Sequence, residues 1–227
     1  MSQRHAATDD LAGLYRTRFS TKERARKRAL WKVLCKQFLQ RYVRASDVVV
    51  DLGAGYGEFI NNIQCGQKYA VDLNEETAYA VDADVVFLKR RAYELDDVDD
   101  GSVDIVFASN FFEHLTSKEE LMSTLREARR ILRAGGKLLI LQPNIRYAFR
   151  EYWDFLDHHL PLSHESMTEA IELAGFTVLE CRPRFMPYST KSRLPQSPAL
   201  LRIYLRVPPL QWLLGGQMFL VAASTEG

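Results

Sequence analysis

The stretch Asp51-Leu52-Gly53-Ala54-Gly55-Tyr56-Gly57 sets three glycines at alternate positions behind an acidic residue. Glycines so close together let a backbone turn tightly and approach a ligand with no Cβ in between. The β-branched run Val48-Val49-Val50 just before them reads as a buried strand, and residues 58–65 just after read as a helix. A loop that leaves a strand and opens a helix offers free N–H groups and a positive dipole end to an anionic ligand group. Asp72 closes the next strand, where a carboxylate can accept hydrogen bonds from both hydroxyls of a ribose. A dinucleotide site spaces its third glycine three residues after the second; here the gap is two, which argues against a nicotinamide dehydrogenase.

A second group of reactive residues lies further on, in Tyr152-Trp153-Asp154-Phe155-Leu156-Asp157-His158-His159, with His164 shortly after. Histidine titrates near neutrality, which suits a general base, and His158 or His159 is the candidate. The bland alternative is a solvated loop whose histidines cap the next helix. Asp154, Asp157, His158 and His159 are all metal-ligating types, yet their spacing is not diagnostic and no metal is expected. Tyr147, Tyr152 and Trp153 either line an acceptor site or pack a lid. His114 either orients the start of a helix or faces the acceptor.

The elements that must carry these residues alternate. Ser20-Thr21-Lys22-Glu23 matches a capping box and predicts a helix to about Tyr42. Strands are expected at 48–50, 69–71, 85–88, 103–108, 137–141, 176–182 and 217–223. Helices are expected at about 75–81, from the capping box Ser117-Lys118-Glu119-Glu120 to Leu132 with Gly135-Gly136 as its stop, and at 164–174 before Gly175. Alternating strand and helix argues for an α/β fold with a mostly parallel sheet. The natural division is an N-terminal helical segment, 1–44, ahead of a domain at 45–227 that carries a lid insertion at about 143–163 and another at about 184–215.

Several segments, in order, carry a family resemblance: the glycine loop, Val71-Asp72-Leu73-Asn74, Ser102-Val103-Asp104-Ile105-Val106 with Phe112-Glu113-His114-Leu115, Arg130-Ile131-Leu132-Arg133-Ala134-Gly135-Gly136-Lys137-Leu138, and Ala174-Gly175-Phe176. Together they resemble the class I S-adenosylmethionine-dependent methyltransferases over residues 45–182. The resemblance implies a Rossmann-like seven-stranded sheet whose last strand runs antiparallel beside the fifth, with helices on both faces. It implies that Asp51, Gly53, Ala54, Gly55 and Gly57 face the methionine part of S-adenosylmethionine. Asp72 would hold the ribose and Leu73 would pack on the adenine. Ser109 and Asn110 would lie near the sulfonium. The family's acidic adenine contact after strand three is replaced here by Arg91-Ala92-Tyr93, leaving Ala92 and Tyr93, or Glu94, for that role. In similar enzymes such segments fold over the cofactor, and the N-terminal segment with Tyr15, Arg16, Arg18 and Phe19 either does the same or is a frayed tail. The segment from Gln142 to Ser192 is similar to methyltransferases of bacterial sugar and secondary-metabolite pathways, which implies a hydroxyl acceptor on a small molecule or sugar.

Composition bounds the rest. The chain has 227 residues, enough for one domain with a sizeable core, and 26% charged residues exclude a disordered class. Its net charge of +1 hides a pattern: residues 1–50 carry +8, 69–125 carry −10, and 181–225 carry +6 with no acidic residue. The acidic middle suits a cationic sulfonium cofactor. The basic ends, Arg184 among them, suit an anionic acceptor. Three scattered cysteines fit neither a disulfide framework nor zinc spacing. No secretory signal and no apolar run of spanning length is visible, so a cytoplasmic setting is expected. Two alternatives remain: an RNA or protein methyltransferase docking through the basic N-terminal helix, although nucleic acid is disfavoured by the lack of interleaved aromatics, and a non-catalytic cofactor-binding partner.

Overall fold

A computed structural model describes residues 21–188 and 197–224. Its centre is a seven-stranded sheet in the order β3-β2-β1-β4-β5-β7-β6, built from β1 (Val48–Leu52), β2 (Gln67–Val71), β3 (Val85–Leu88), β4 (Val103–Ser109), β5 (Leu132–Pro143), β6 (Phe176–Arg182) and β7 (Gln217–Ser224). Strands β1 to β5 pair in parallel, while β7 runs antiparallel between β5 and β6. The central strands β1, β4 and β7 are buried on both faces, as sheets covered on both sides require, whereas the edge strands β3 and β6 keep exposed positions such as Val86 and Leu179. One core layer packs β1, β4 and β5 against α3 (Lys118–Ile131) and α5 (His164–Leu173). The other packs the opposite face against α1 (Thr21–Gln37), a 3-10 turn at Leu39–Tyr42 and α6 (Pro198–Arg206).

Strand order reverses between β1 and β4, both of which start their outward connections at the same sheet edge. That edge is where doubly wound sheets bind ligands. The expected strands and the capping-box helix α3 form within a residue or two of their anticipated bounds, except that β5 begins at Leu132, five residues before its expected start. Ser117 caps α3 by accepting from the Glu120 N–H at 3.2 Å.

Three expectations need correction. Residues 58–65 are a run of turns and not a helix. The Asn62 side-chain amide takes the Glu58 carbonyl at 2.9 Å, the acceptor that helical geometry would give to the Asn62 N–H, which instead reaches Phe59. Asn61 turns outward to bond Ala80 and Asp82 across the β2–β3 connection, which fixes the irregular shape. Gly135-Gly136 does not stop α3 either. The helix ends at Leu132, which already pairs with Val103, and residues 133–136 bulge before the register resumes at Ile105 and Lys137. The region at 75–81 holds only a single turn, α2 (Thr77–Ala80). The two insertions carry helices of their own, α4 (Ile145–Tyr152) and the pair α6 and α7 (Pro208–Leu214).

Tyr15, Arg16, Arg18, Phe19, Ser20, Lys191 and Ser192 lie outside the described residues.

Candidate functional site

Gly53, Gly55 and Gly57 have φ of +67°, +55° and +71°, the left-handed region that L side chains rarely adopt. At Gly53 the tolerance is steric as well: a Cβ would fall 2.5 Å from the Phe111 ring, which covers the loop from the end of β4. The loop folds back on Asp72. The Gly55 N–H donates to Asp72 Oδ2 at 2.7 Å, and the Asn74 N–H donates to Oδ1 at 2.8 Å. Each carboxylate oxygen keeps a further lone pair for a ligand hydroxyl.

Three carboxylates meet here. Burial holds Asp51 well above the usual carboxylate range, and the nearby charges of Glu58 and Asp72 add to the rise. Burial also raises Asp72, against hydrogen bonds from Asn74, Gly55 and Leu73. A buried carboxylate raised by the charges of its neighbours gains most when a cation arrives. The loop therefore fits a ligand with positive charge, and the N–H donors beside it fit that ligand's carboxylate. Leu73 is half-buried beside Asp72, Ala92 is buried, and Tyr93 is half-buried with Arg91 over its ring at 5.7 Å.

Helix α1 closes over this loop. Arg24 donates to the Tyr56 hydroxyl at 2.8 Å and lies over its ring at 4.2 Å, and Lys27 pairs with Glu58 at 2.9 Å. Tyr56, Arg24 and Phe111 are contributors that loop spacing alone did not single out. The signal for Phe111 was its place in an aromatic pair right after an Asn at a strand end.

At the exit of β4, Asn110 adopts φ +46°, and is held there by Gln217 donating to its Oδ1 at 2.6 Å and by its own amide on Ser109 Oγ at 3.1 Å. A non-glycine residue in that region is strained, and Asn tolerates it best. The 3-10 turn Phe112–His114 follows and brings Glu113 and His114 under the β5–α5 connection. The Glu113 carbonyl accepts from both His159 N–H at 2.8 Å and Leu160 N–H at 3.2 Å, pinning the connection to the end of β4.

Four reactive side chains converge beneath it. His114 Nδ1 sits 3.2 Å from Asp157 Oδ2 and 3.0 Å from the Asp157 carbonyl. The His158 ring lies 5.0 Å from that of His114 and stacks on Phe155 at 4.9 Å. Glu113 and His158 are only 2% and 8% exposed. Burial pushes the Glu113 carboxyl up to about 7 against the favourable charge of His114. His114 is pulled down by burial, but the Asp157 hydrogen bond and the Glu113 charge outweigh that, leaving it raised. His114 also acts electrostatically on Asp72, which ties this cluster to the glycine loop.

The anticipated acceptor residues divide. His158 joins the cluster, whereas His159 is exposed and contributes only its backbone. Tyr152 is fully buried against His158 at 4.6 Å, so it packs the lid from within, while Trp153 is exposed. Tyr147 and Trp212 flank the Arg184 guanidinium at 4.8 and 5.7 Å. Arg184 spends Nε and Nη2 on the Gly215 and Leu213 carbonyls, so it braces the second insertion. Asp154 is exposed and outside the cluster. Glu113 went unassigned in sequence; an acidic residue inside the apolar run Phe111-Phe112-Glu113-His114-Leu115 was the available signal.

A doubly wound sheet with a glycine loop at its switch point and an aspartate ending the neighbouring strand is an arrangement that binds nucleotide ligands. Residues 50–140 match the family model for a methyltransferase domain. No curated protein matches the chain. Among solved structures, a SAM-dependent methyltransferase from Archaeoglobus fulgidus superposes with a TM-score of 0.66 at 22% identity, over 86% of this chain and 94% of that one. A chain from the complex between the Haloferax volcanii Trm112 methyltransferase activator and a methyltransferase gives 0.66 at 21%, over 90% and 94%. A geranyl diphosphate methyltransferase solved with SAM gives 0.62 at 15%, over 86% and 85%. Residues 50–140 thus carry a methyltransferase domain, and the chain shares the fold of S-adenosylmethionine-dependent methyltransferases. Among the described residues, no helix is long and apolar enough to cross a membrane.

Proposed function

We propose that this enzyme methylates a hydroxyl oxygen of a small molecule or sugar, with the Glu113–His114–Asp157–His158 cluster on the acceptor side. The observation that carries this reading is a buried histidine–carboxylate cluster directly after β4, beneath a connection at the ligand-binding edge. An alcohol must shed its proton to become a competent nucleophile, and a paired imidazole near neutrality is the usual receiver.

S-adenosylmethionine, when bound, supplies a methyl group on a sulfonium. In this reading Gly53, Gly55 and Gly57 admit its methionine end and Asp51 and Glu58 balance its positive charge. Asp72 and Leu73 hold ribose and adenine, with Ala92 and Tyr93 at the adenine's other side. Ser109 and Asn110 stand between cofactor and acceptor. The cluster would take the proton of an acceptor hydroxyl held beside that methyl group, leaving the oxygen as the nucleophile. Asp157 orients the His114 ring, and the lid bonded to the Glu113 carbonyl keeps water from the reacting atoms.

The test is a label-transfer screen with methyl-labelled cofactor against hydroxyl-bearing small molecules, with product analysis by mass spectrometry. An O-methylated product is expected. His114→Ala and His158→Ala should each lower turnover on the order of 10² to 10⁴-fold while calorimetry shows S-adenosylhomocysteine still bound. An N-methylated product, or full turnover in both variants, overturns the acceptor assignment.

Docking of RNA or a protein acceptor through α1 is a second reading. Arg28, Lys32 and Lys36 are exposed on that helix, and a structural neighbour was solved with an activator protein. Against it, Arg24 and Lys27 are turned onto Tyr56 and Glu58. Steep salt dependence of RNA binding would favour it.

A further inference from the structure

Glu113, His114 and His158 each offer a ligand atom, and the three atoms lie within 4.8 Å of one another, the set among the described residues with that property. We infer that this triad is a binding site for a divalent first-row transition metal such as zinc. For its chemical role the inference rests on the acceptor-side reading above; the site itself stands without it.

Three features point to an ion beyond mere proximity. Glu113 Oε2 is fully buried and has no hydrogen-bond partner, although it belongs to a carboxylate only 2% exposed. Orphaning such an atom is costly, and in native proteins an unexplained buried acceptor calls for an occupant. The Tyr152 hydroxyl is likewise buried with no hydrogen-bond partner, and the Glu113 charge reaches it. Two orphaned oxygens therefore border the same cluster. Finally, Asp157 holds His114 at Nδ1, the arrangement in which a carboxylate fixes the tautomer of a metal-bound imidazole and leaves Nε2 for the ion.

The donor set decides the class of ion. Two imidazoles with one carboxylate suit zinc or a neighbouring transition metal, whereas magnesium and calcium call for an all-oxygen shell. Three protein ligands leave a coordination position open, as in sites where a metal activates an oxygen. With both imidazoles on the ion, an acceptor hydroxyl taking that position would be made acidic by the metal and would lose its proton to water in place of the histidines, its oxygen keeping the electron pair. The elements carrying the ligands support this geometry: Glu113 and His114 leave β4, His158 comes from the lid, and the ion would clasp the two together.

Metal-free protein prepared with a chelator is titrated with Co(II) and with Zn(II), reading visible ligand-field absorption for cobalt and calorimetry for zinc. One equivalent should bind per chain. Glu113→Gln and His158→Gln should each weaken binding on the order of 100-fold, and Asp157→Asn, acting through His114, about 10 to 100-fold. Co(II)-loaded wild type should also show paramagnetically shifted imidazole N–H resonances from two histidines. That signal decides the matter if the ligand variants fail to fold. Absence of binding by the wild type, equal binding by folded variants, or no histidine signal overturns the site. S-adenosylhomocysteine calorimetry on the same samples reports separately on the methyltransferase reading, so loss of the metal with the cofactor still bound sinks the metal site alone.

Discussion

Individual residues carry the loop's conformation and charge, and the glycines differ in ways that make them separable. Gly53→Ala forces a side chain into φ +67° and drives its Cβ to 2.5 Å from Phe111. Gly135→Ala meets the same kind of backbone, φ +71°, with nothing within 4 Å. Denaturant unfolding should therefore show a loss of about 1 kcal/mol at Gly135 and about 2–4 kcal/mol at Gly53, and only the latter should weaken cofactor binding. Asp51 makes a pH prediction. Its native carboxyl is raised above its unfolded value by burial and by Glu58 and Asp72, so the stability it confers is complete below the ordinary carboxylate range. That stability is lost as pH rises through the native value. In cofactor-free protein, Asp51→Asn should gain stability relative to wild type from about pH 4 upward, while binding S-adenosylmethionine more weakly. A flat difference across pH would contradict the burial argument. The glycine spacing and Asp72 were legible because each imposes a local backbone requirement that sequence records. Glu113 was not, because its importance comes from what lies over it: a carboxyl becomes special when residues some 45 positions away bury it. For the same reason His158 and His159 looked equivalent in sequence, yet only one ring points into the cluster.

Elements explain where sequence periodicity succeeded and failed. Helix α3 was legible because Ser117 and its apolar stripe agree, each reinforcing the other. The turn at 55–62 was not, because Asn61 and Asn62 divert backbone partners to their own side chains. Pro198 and Pro208-Pro209 look like breakers, yet they stand at the first helical positions of α6 and α7, where a missing N–H costs nothing. The lid depends on one buried anchor at its start. Asn144 caps α4 by accepting from the Arg146 N–H, and its amide donates to the Pro183 carbonyl at 2.9 Å and meets His164 Nδ1 at 3.0 Å. Asn144→Ala strands those groups in a buried setting. It should cost about 2–3 kcal/mol in equilibrium unfolding. If the connection covers the acceptor as proposed, turnover should fall while S-adenosylhomocysteine affinity holds. Equal loss of both would mean that the β5–α5 connection supports the cofactor as well.

At the scale of the whole molecule, the near-zero net charge is the sum of an acidic sheet edge and basic covering elements. The acidic span supplies Asp72 and Glu113 to one edge of the sheet, joined there by Asp51 and Glu58. The basic N-terminal helix is laid against that edge, where Arg24 and Lys27 reach Tyr56 and Glu58 of the same loop. The basic C-terminal stretch does not present its arginines in the same way: Arg182 pairs with Glu180 at 2.5 Å and Arg184 binds carbonyls, so an anionic acceptor finds less support in geometry than in composition. The coupling of α1 to the loop has a consequence for the cofactor-bound state. A cation arriving among Asp51, Glu58 and Asp72 competes for the charge that Lys27 now balances, yet it also orders the loop that Tyr56 and Glu58 occupy. Ordering should win, because α1 is anchored independently by Val33, Leu34, Cys35 and Phe38 in the core. At a cofactor concentration of about 100 times Kd, global stability should rise by about 2.7 kcal/mol. Hydrogen exchange should then slow in residues 53–62 and also in the first half of α1, with Lys27→Ala removing the second effect and sparing the first. Slowing confined to the loop would separate α1 from the cofactor's enclosure and leave its exposed Arg28, Lys32 and Lys36 as a face for a different partner.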